Sequence, residues 1–218
     1  EFRLPKDILK MEIDGIRAMG VEMMTHHPFH LNGSRKTFQK LGFRATFLSI
    51  GAHRSEKLNI PGEGLQGVFH GVEFLRDIHL EKRLKIGKEV AVIGGGNVAM
   101  DVARSAIRMG SESVRVYYRR SINEMPAIPE EVDAAIGEGV KIHFLASPIK
   151  IIGKGARAAG MECVRMRLGE PDETGRRRPV PIKGSKFKVN ADTIIAAIGQ
   201  SVDRKALRGL DTNRDGTV

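Results

Sequence analysis

The sequence holds one cysteine, Cys163, no tryptophan and two tyrosines, and aromatics make up 5% of its 218 residues. Each scarcity excludes something. A disulfide, a Cys-x-x-Cys redox pair and a thiolate-bound iron–sulfur cluster all need several cysteines, so any thiol or cluster relay belongs to another chain or segment. Cys163 itself, between Met161 and Val164 on an expected strand, reads as a small buried residue. Low cysteine use suits a reducing cytoplasm, the expected location. So few aromatics leave little stacking platform for single strands, and no nucleic-acid partner is expected. The net charge of +10 is instead assigned to an anionic cofactor or an acidic partner. Its basic residues are dispersed, apart from Arg176-Arg177-Arg178 beside Pro179. No run approaches the roughly 20 apolar residues of a bilayer span, and no membrane span is expected. No basic-plus-apolar leader opens the sequence, which starts at Glu1 and runs directly into Phe2-Arg3-Leu4-Pro5. It reads as a piece of something longer.

What is present is organised as two half-copies of one pattern. The first has a helical pattern (Leu9, Ile13, Ile16, Met19) ending at Gly20, a short strand Val21 to Met24, and an apolar strand Ala45 to Ile50 followed by Gly51-Ala52. The second has a helix from Pro129 to Gly139, a strand Val140 to Phe144, and an apolar strand Thr193 to Ile198 followed by Gly199-Gln200. Continuous apolar strands are expected where a parallel strand is covered on both faces. Between the halves, Asn59-Ile60-Pro61-Gly62 reads as a turn and Gly71 to His79 as a connecting helix. Short apolar runs from Ile149 to Asn190 predict an antiparallel meander with a long exposed loop, Gly169 to Pro181.

The chemistry is concentrated in Val90-Ala91-Val92-Ile93-Gly94-Gly95-Gly96-Asn97-Val98-Ala99. Gly94-x-Gly96-x-x-Ala99 fits the dinucleotide fingerprint. The first glycine makes the tight turn, Gly96 clears room for a pyrophosphate, and Ala99 keeps helix and strand close. The helix then offers free N–H groups and its positive dipole end to the phosphates. Such a motif alone is weak. Here it follows an apolar strand and opens an amphipathic helix (Val98, Val102, Ile107, Met109) that ends at Gly110. A second strand, Val114 to Tyr118, arrives at the right distance. Sites for NAD place Asp or Glu after that strand, whereas this sequence places Arg119 and Arg120, which can fork onto a 2′-phosphate. NADP(H) is therefore the expected cofactor; the competing reading of the pair is a solvated surface charge.

These same residues carry a resemblance. Val90 to Asp101, Tyr118-Arg119-Arg120-Ser121 with Glu124-Met125-Pro126-Ala127, and Leu168 to Pro181 are similar to the small subunit of NADPH-dependent glutamate synthase and its relatives. Phe2-Arg3-Leu4-Pro5, Ile50-Gly51-Ala52-His53 and Ile198-Gly199-Gln200 fit the same family. The resemblance implies a flavoprotein of the disulfide-reductase-like class, in which NADPH gives a hydride to FAD and iron–sulfur clusters carry electrons onward. It implies Gly94, Gly95, Gly96, Asn97, Val98 and Ala99 at the pyrophosphate turn and Arg119 and Arg120 at the 2′-phosphate. Gly199 and Gln200 would lie near the nicotinamide, and Gly51 and Ala52 on the flavin side. The family's FAD fingerprint would precede Glu1, its glycine–aspartate flavin motif would follow Val218, and its cluster cysteines lie outside this chain. FAD is thus expected in the full-length protein rather than held by this chain alone. The expected partners are FAD- and iron–sulfur-bearing segments or subunits and a large-subunit electron acceptor.

The expected fold class is α/β: a Rossmann-like NAD(P)-binding domain, a parallel sheet with an antiparallel meander, inserted in a partial FAD-binding domain. Its expected boundaries are 1–60 for a first FAD-domain segment, 61–88 for a connector, 89–198 for the NADP(H) domain and 199–218 for the return. Two weaker signals are set aside. His26-His27-Pro28-Phe29-His30 is interrupted by proline and lacks a nearby carboxylate, and Asp211 to Gly216 is a solvated turn rather than a calcium loop. No metal site and no catalytic acid or base is named, because hydride transfer to a flavin needs orientation and proximity. The alternative from another class is a non-catalytic NADP(H)-binding interaction or regulatory module.

Overall fold

The computed structural model describes residues 3–26, 40–205, 207 and 210–213. The chain divides into two units: residues 51–202 form one, and residues 1–50 with 203–218 the other.

In the smaller unit the described residues form one helix, α1 (Lys6–Ala18), which is amphipathic and has no buried residue. The strands expected at Val21 to Met24 and Ala45 to Ile50 are not formed; both stretches are irregular. Phe47, inside the second run, is 91% exposed. An apolar run becomes a strand only when a neighbour satisfies its backbone groups, and no described strand pairs with either stretch. The histidine cluster lies outside the described residues except His26, and the Asp211 to Gly216 turn is described only as far as Asn213.

The larger unit holds three sheets. Strands β1 (Arg54–Ser55), β2 (Val68–His70), β3 (Glu89–Ile93), β4 (Ser113–Tyr118) and β5 (Lys141–Phe144) come first. A meander of β6 (Ala146–Lys154), β7 (Arg157–Pro171) and β8 (Arg177–Asn190) follows, then β9 (Thr193–Ala196) and β10 (Gln200–Ser201). The main sheet is parallel, in the order β2-β9-β3-β4-β5. The meander is antiparallel, and β1 pairs with β10. Helices α2 (Gly71–His79), α3 (Asn97–Arg108) and α4 (Pro129–Gly137) connect the parallel strands.

The apolar runs follow from this layering. Successive side chains of a strand point to opposite faces. Val90, Val92 and Ile195 join Phe74, Met100, Val102 and Val132 in a cluster on the helical face. Ala91, Ile93 and Ile194 join Ile151, Met161, Cys163 and Val189 beneath the meander. With helices on one side and a sheet on the other, β3 and β9 must be apolar at nearly every position. Cys163 is fully buried there, and burial pushes its thiol up to about 12.

Segment 61–88 supplies the edge strand β2 and α2, whose Phe74 is 1% exposed. Two further expectations need correction. The long loop at Gly169 to Pro181 is replaced by two strands and a short turn between Pro171 and Arg177. Strand β8 tolerates Pro179 and Pro181 because it is the edge of its sheet, where a missing N–H has outward-facing positions to occupy. On α3, Met109 lies at the C-cap and is 37% exposed, so it is not part of the buried stripe.

Candidate functional site

The carboxyl ends of β9, β3 and β4 are consecutive along the sheet edge, and each delivers one of the expected segments. Gly199-Gln200 follows β9, the glycine turn follows β3, and Arg119-Arg120 follows β4. Strands lie about 4.8 Å apart, so the outer two segments are roughly 10 Å apart with the glycine turn between them. All three line a cavity of about 600 Å³, within the usual range for small-molecule sites.

The three glycines have different causes. Gly94 adopts φ +141°, and a Cβ there would sit 2.1 Å from the Ala197 carbonyl oxygen. At Gly95 a Cβ would meet the Tyr118 ring at 2.5 Å. That ring is buried and fixed by its hydroxyl, which donates to the Glu124 carbonyl at 2.6 Å. Both glycines are demanded by the fold. Gly96 is not: its φ is −95°, and a Cβ would meet nothing within 4 Å. A Cβ there would project into open space at the N-terminus of α3, where no side chain caps the helix. The first amides are therefore left for a ligand or water.

Neighbouring segments shape this turn. The Ile128 amide donates to the Asn97 side-chain oxygen at 2.9 Å, and the Ala127 amide to the Gly95 carbonyl at 3.1 Å. Pro126 from the same segment joins the wall. Val98 also lines the cavity, whereas Ala99 is fully buried, in keeping with its role of holding helix and strand together. At the β9 end Gly199 adopts φ +153°, and its carbonyl accepts from the Glu56 amide at 3.0 Å. The β1–β10 ladder thereby brings Ser55 and Glu56 to the wall. The Ser55 hydroxyl donates to Glu73 and accepts from the Val72 amide at 3.4 Å, tying β1 to the start of α2. Burial pushes the Glu73 carboxyl up, but the hydrogen bonds from Ser55 and nearby amides outweigh it and hold the group low.

The two arginines after β4 differ sharply. Arg119 is exposed, and no hydrogen bond or ion pair joins it to another described residue. Arg120 is 5% exposed; its Nη2 donates to Asp172 at 2.6 Å and its Nε to the Arg177 carbonyl at 2.8 Å. Hydrogen bonds from the Thr174 hydroxyl and amide, with the charge of Arg120, hold Asp172 below the usual carboxylate range. Arg176, from the β7–β8 turn, also lines the cavity. The sequence shows it only as part of a basic triplet; what places it is a turn whose position depends on Arg120.

Gly51 and Ala52 do not line this cavity. Gly51 is exposed with φ +67°, and a Cβ there would meet the His53 ring at 3.1 Å. Its glycine is explained within its own loop. Among the described residues no group of His, Cys, Asp and Glu could hold a metal ion, and no helix is long and apolar enough to cross a membrane.

Comparison with known proteins agrees with this geometry. Residues 9–218 match the pyridine nucleotide-disulphide oxidoreductase family. The chain is 44% identical, over its whole length, to the beta subunit of NADP(+)-dependent formate dehydrogenase from Moorella thermoacetica, of which it spans 31%. Over 91% of the chain it is 36% identical to the small chain of glutamate synthase [NADPH] from Halomonas elongata, of which it spans 44%. The resemblance drawn from the motifs is thus borne out, for less than half the length of either relative. In fold it is similar to Mycobacterium tuberculosis FprA in complex with NADPH: TM-score 0.60 and 22% identity, over 78% of this chain and 52% of that one.

Proposed function

The chain belongs to the pyridine nucleotide-disulphide oxidoreductase family, and from that premise we propose that it is the NADP(H)-binding portion of a larger flavin-dependent oxidoreductase. The observation that carries this reading is Gly96. It is a glycine that neither backbone angle nor neighbouring atoms require, at an uncapped helix N-terminus in the wall of a 600 Å³ cavity. A ligand that must approach the backbone closely explains it, and the partial positive charge of the helix end favours an anion.

The residues of the chain bind and orient. Amides at the start of α3 hold a pyrophosphate, with Asn97 fixing the turn through Ile128. The arginines after β4 favour a nucleotide carrying a 2′-phosphate, because the carboxylate usual in NAD sites is absent there. Gly199 and Gln200 lie two strands away and border the nicotinamide. A bound nicotinamide would supply a hydride, and a flavin and iron–sulfur centres outside this chain would be needed to take its two electrons. The relatives are named as a beta subunit and a small chain, which supports partner subunits; a large-subunit electron acceptor is the partner this reading expects. Low cysteine use supports a cytoplasmic setting.

Calorimetric titration of the chain with NADPH and with NADH tests the binding reading. One charge-assisted contact is worth about 1.5–3 kcal/mol, so NADPH is expected to bind about ten- to a hundredfold more tightly. Binding of neither nucleotide would end the proposal. The redox half is tested in a longer protein that includes the flanking flavin segments, where NADPH should bleach the flavin absorbance. A flavin that binds and stays oxidised would favour the regulatory module.

A further inference from the structure

The arginine side of the cavity carries an assignment that the paired-arginine motif alone misplaces. A 2′-phosphate carries a charge of about −1.5 to −2 near neutral pH. Arg120 cannot match it well, because it is buried, its charge is already met by Asp172, and two of its three nitrogens donate within the protein. Two cations in the wall are differently placed. Arg119 forms no hydrogen bond or ion pair with a described residue, and Arg176 meets no described carboxylate, only the Thr174 hydroxyl through its Nε at 3.0 Å. Glu56, the one acidic residue in the wall, sits beside Gly199, two strands from Arg119.

Hydrogen bonds within the β7–β8 turn fix the backbone and side chain of Arg176. The Asp172 amide donates to the Arg176 carbonyl at 2.8 Å, and the Gly175 amide to the Asp172 carbonyl at 2.9 Å. The Thr174 hydroxyl donates to Asp172 at 2.5 Å while accepting from Arg176. Arg120 clasps this turn from below, at Asp172 and at the Arg177 carbonyl.

Resting on the dinucleotide reading above, we propose that Arg119 and Arg176 read the 2′-phosphate, and that Arg120 with Asp172 is a positioning pair that carries Arg176 to it. Specificity is then shared between the Rossmann sheet and the meander, and the charge offered by two unmatched guanidinium groups equals the charge of the phosphate.

The test is titration of the full chain with NADPH, NADH, 2′,5′-ADP and 5′-AMP. Arg176→Ala should weaken NADPH and 2′,5′-ADP by about tenfold or more and leave NADH and 5′-AMP unchanged. Arg176→Lys should keep part of the preference. An Arg176→Ala protein with the wild-type preference, or one that loses both nucleotides equally, overturns the assignment. The positioning role is tested by a cycle with Arg120→Met. If Arg120 acts through Arg176, the double variant discriminates no worse than Arg176→Ala alone; additive losses would show that Arg120 touches the phosphate directly. Failure of the wild-type chain to bind either dinucleotide would instead remove the nucleotide reading on which this rests.

Discussion

Of three adjacent glycines, Gly94 answers to Ala197, Gly95 to Tyr118 and Gly96 to open space, which makes their substitutions separable. Gly95→Ala forces a methyl into the Tyr118 ring, which its bond to Glu124 keeps from moving away. Overpacking of this kind costs about 1–3 kcal/mol, so the melting temperature should fall. Gly96→Asp should do the reverse. Its φ of −95° suits any residue, its surroundings are open, and aspartate is a good N-cap that complements the helix dipole. Stability should hold or rise by up to about 1 kcal/mol, while a carboxylate where the pyrophosphate must sit should weaken NADPH and NADH alike by about a hundredfold. Thermal melts beside titrations of both variants check this, and a Gly96→Asp chain that still binds normally would remove the pyrophosphate from this turn. The fingerprint gave Gly94 the turn and Gly96 the pyrophosphate, but it could not show what demands Gly95, because the Tyr118 ring meets it only in space. Arg176 escaped for the same reason, since nothing in a basic triplet says which member faces a cavity.

At the scale of elements, sequence patterns report burial better than pairing. Strands β3, β4 and β9 were legible because both of their faces are covered, and α2, α3 and α4 because one is. The run Ala45 to Ile50 is also mostly apolar and is irregular, so composition alone does not supply a neighbouring strand. The error at Gly169 to Pro181 runs the other way, since prolines suggest a loop wherever an edge position cannot be recognised in advance. What joins elements is also invisible in one-dimensional patterns. Arg104 on α3, with a side chain only 12% exposed, reaches Glu131 at 2.6 Å and Glu138 at 2.8 Å on and just beyond α4, and Arg108 adds a second contact to Glu138. Hydrogen bonds from Arg108 and Arg104 and their charges hold the Glu138 carboxyl below its ordinary range. A depressed folded-state pKa contributes stability that is complete above the unfolded value and is lost as pH falls through the folded one. Arg104→Met should therefore lower stability at pH 7 by about 1.5–3 kcal/mol, read as a lower urea midpoint, and flatten the fall in stability below about pH 5. NADPH affinity should not move, because Arg104 lies outside the cavity wall. A variant with an unchanged acid dependence would show that the clamp between α3 and α4 does not contribute to stability.

Across the whole molecule, the insertion of one unit within another was expected from the order of the motifs, and the division at residues 51 and 202 has that form. Strand β2 joins the parallel sheet through β9, a strand 125 residues further on, counting from Val68 to Thr193. A consequence concerns where binding resides. Every residue in the cavity wall falls between Ser55 and Gln200, and both buried clusters of the core, with all three sheets, lie within residues 51–202. A chain trimmed to residues 51–202 should therefore fold cooperatively and bind NADPH within about twofold of the full chain. Saturating nucleotide stabilises only the state that binds it, by about 2.7 kcal/mol at a hundred times Kd, so NADPH should raise the melting temperature of the trimmed and full chains by similar amounts. If the trimmed chain folds but binds weakly, residues outside 51–202 complete the site. If it binds as the full chain does, recognition of the nucleotide is a property of residues 51–202 alone.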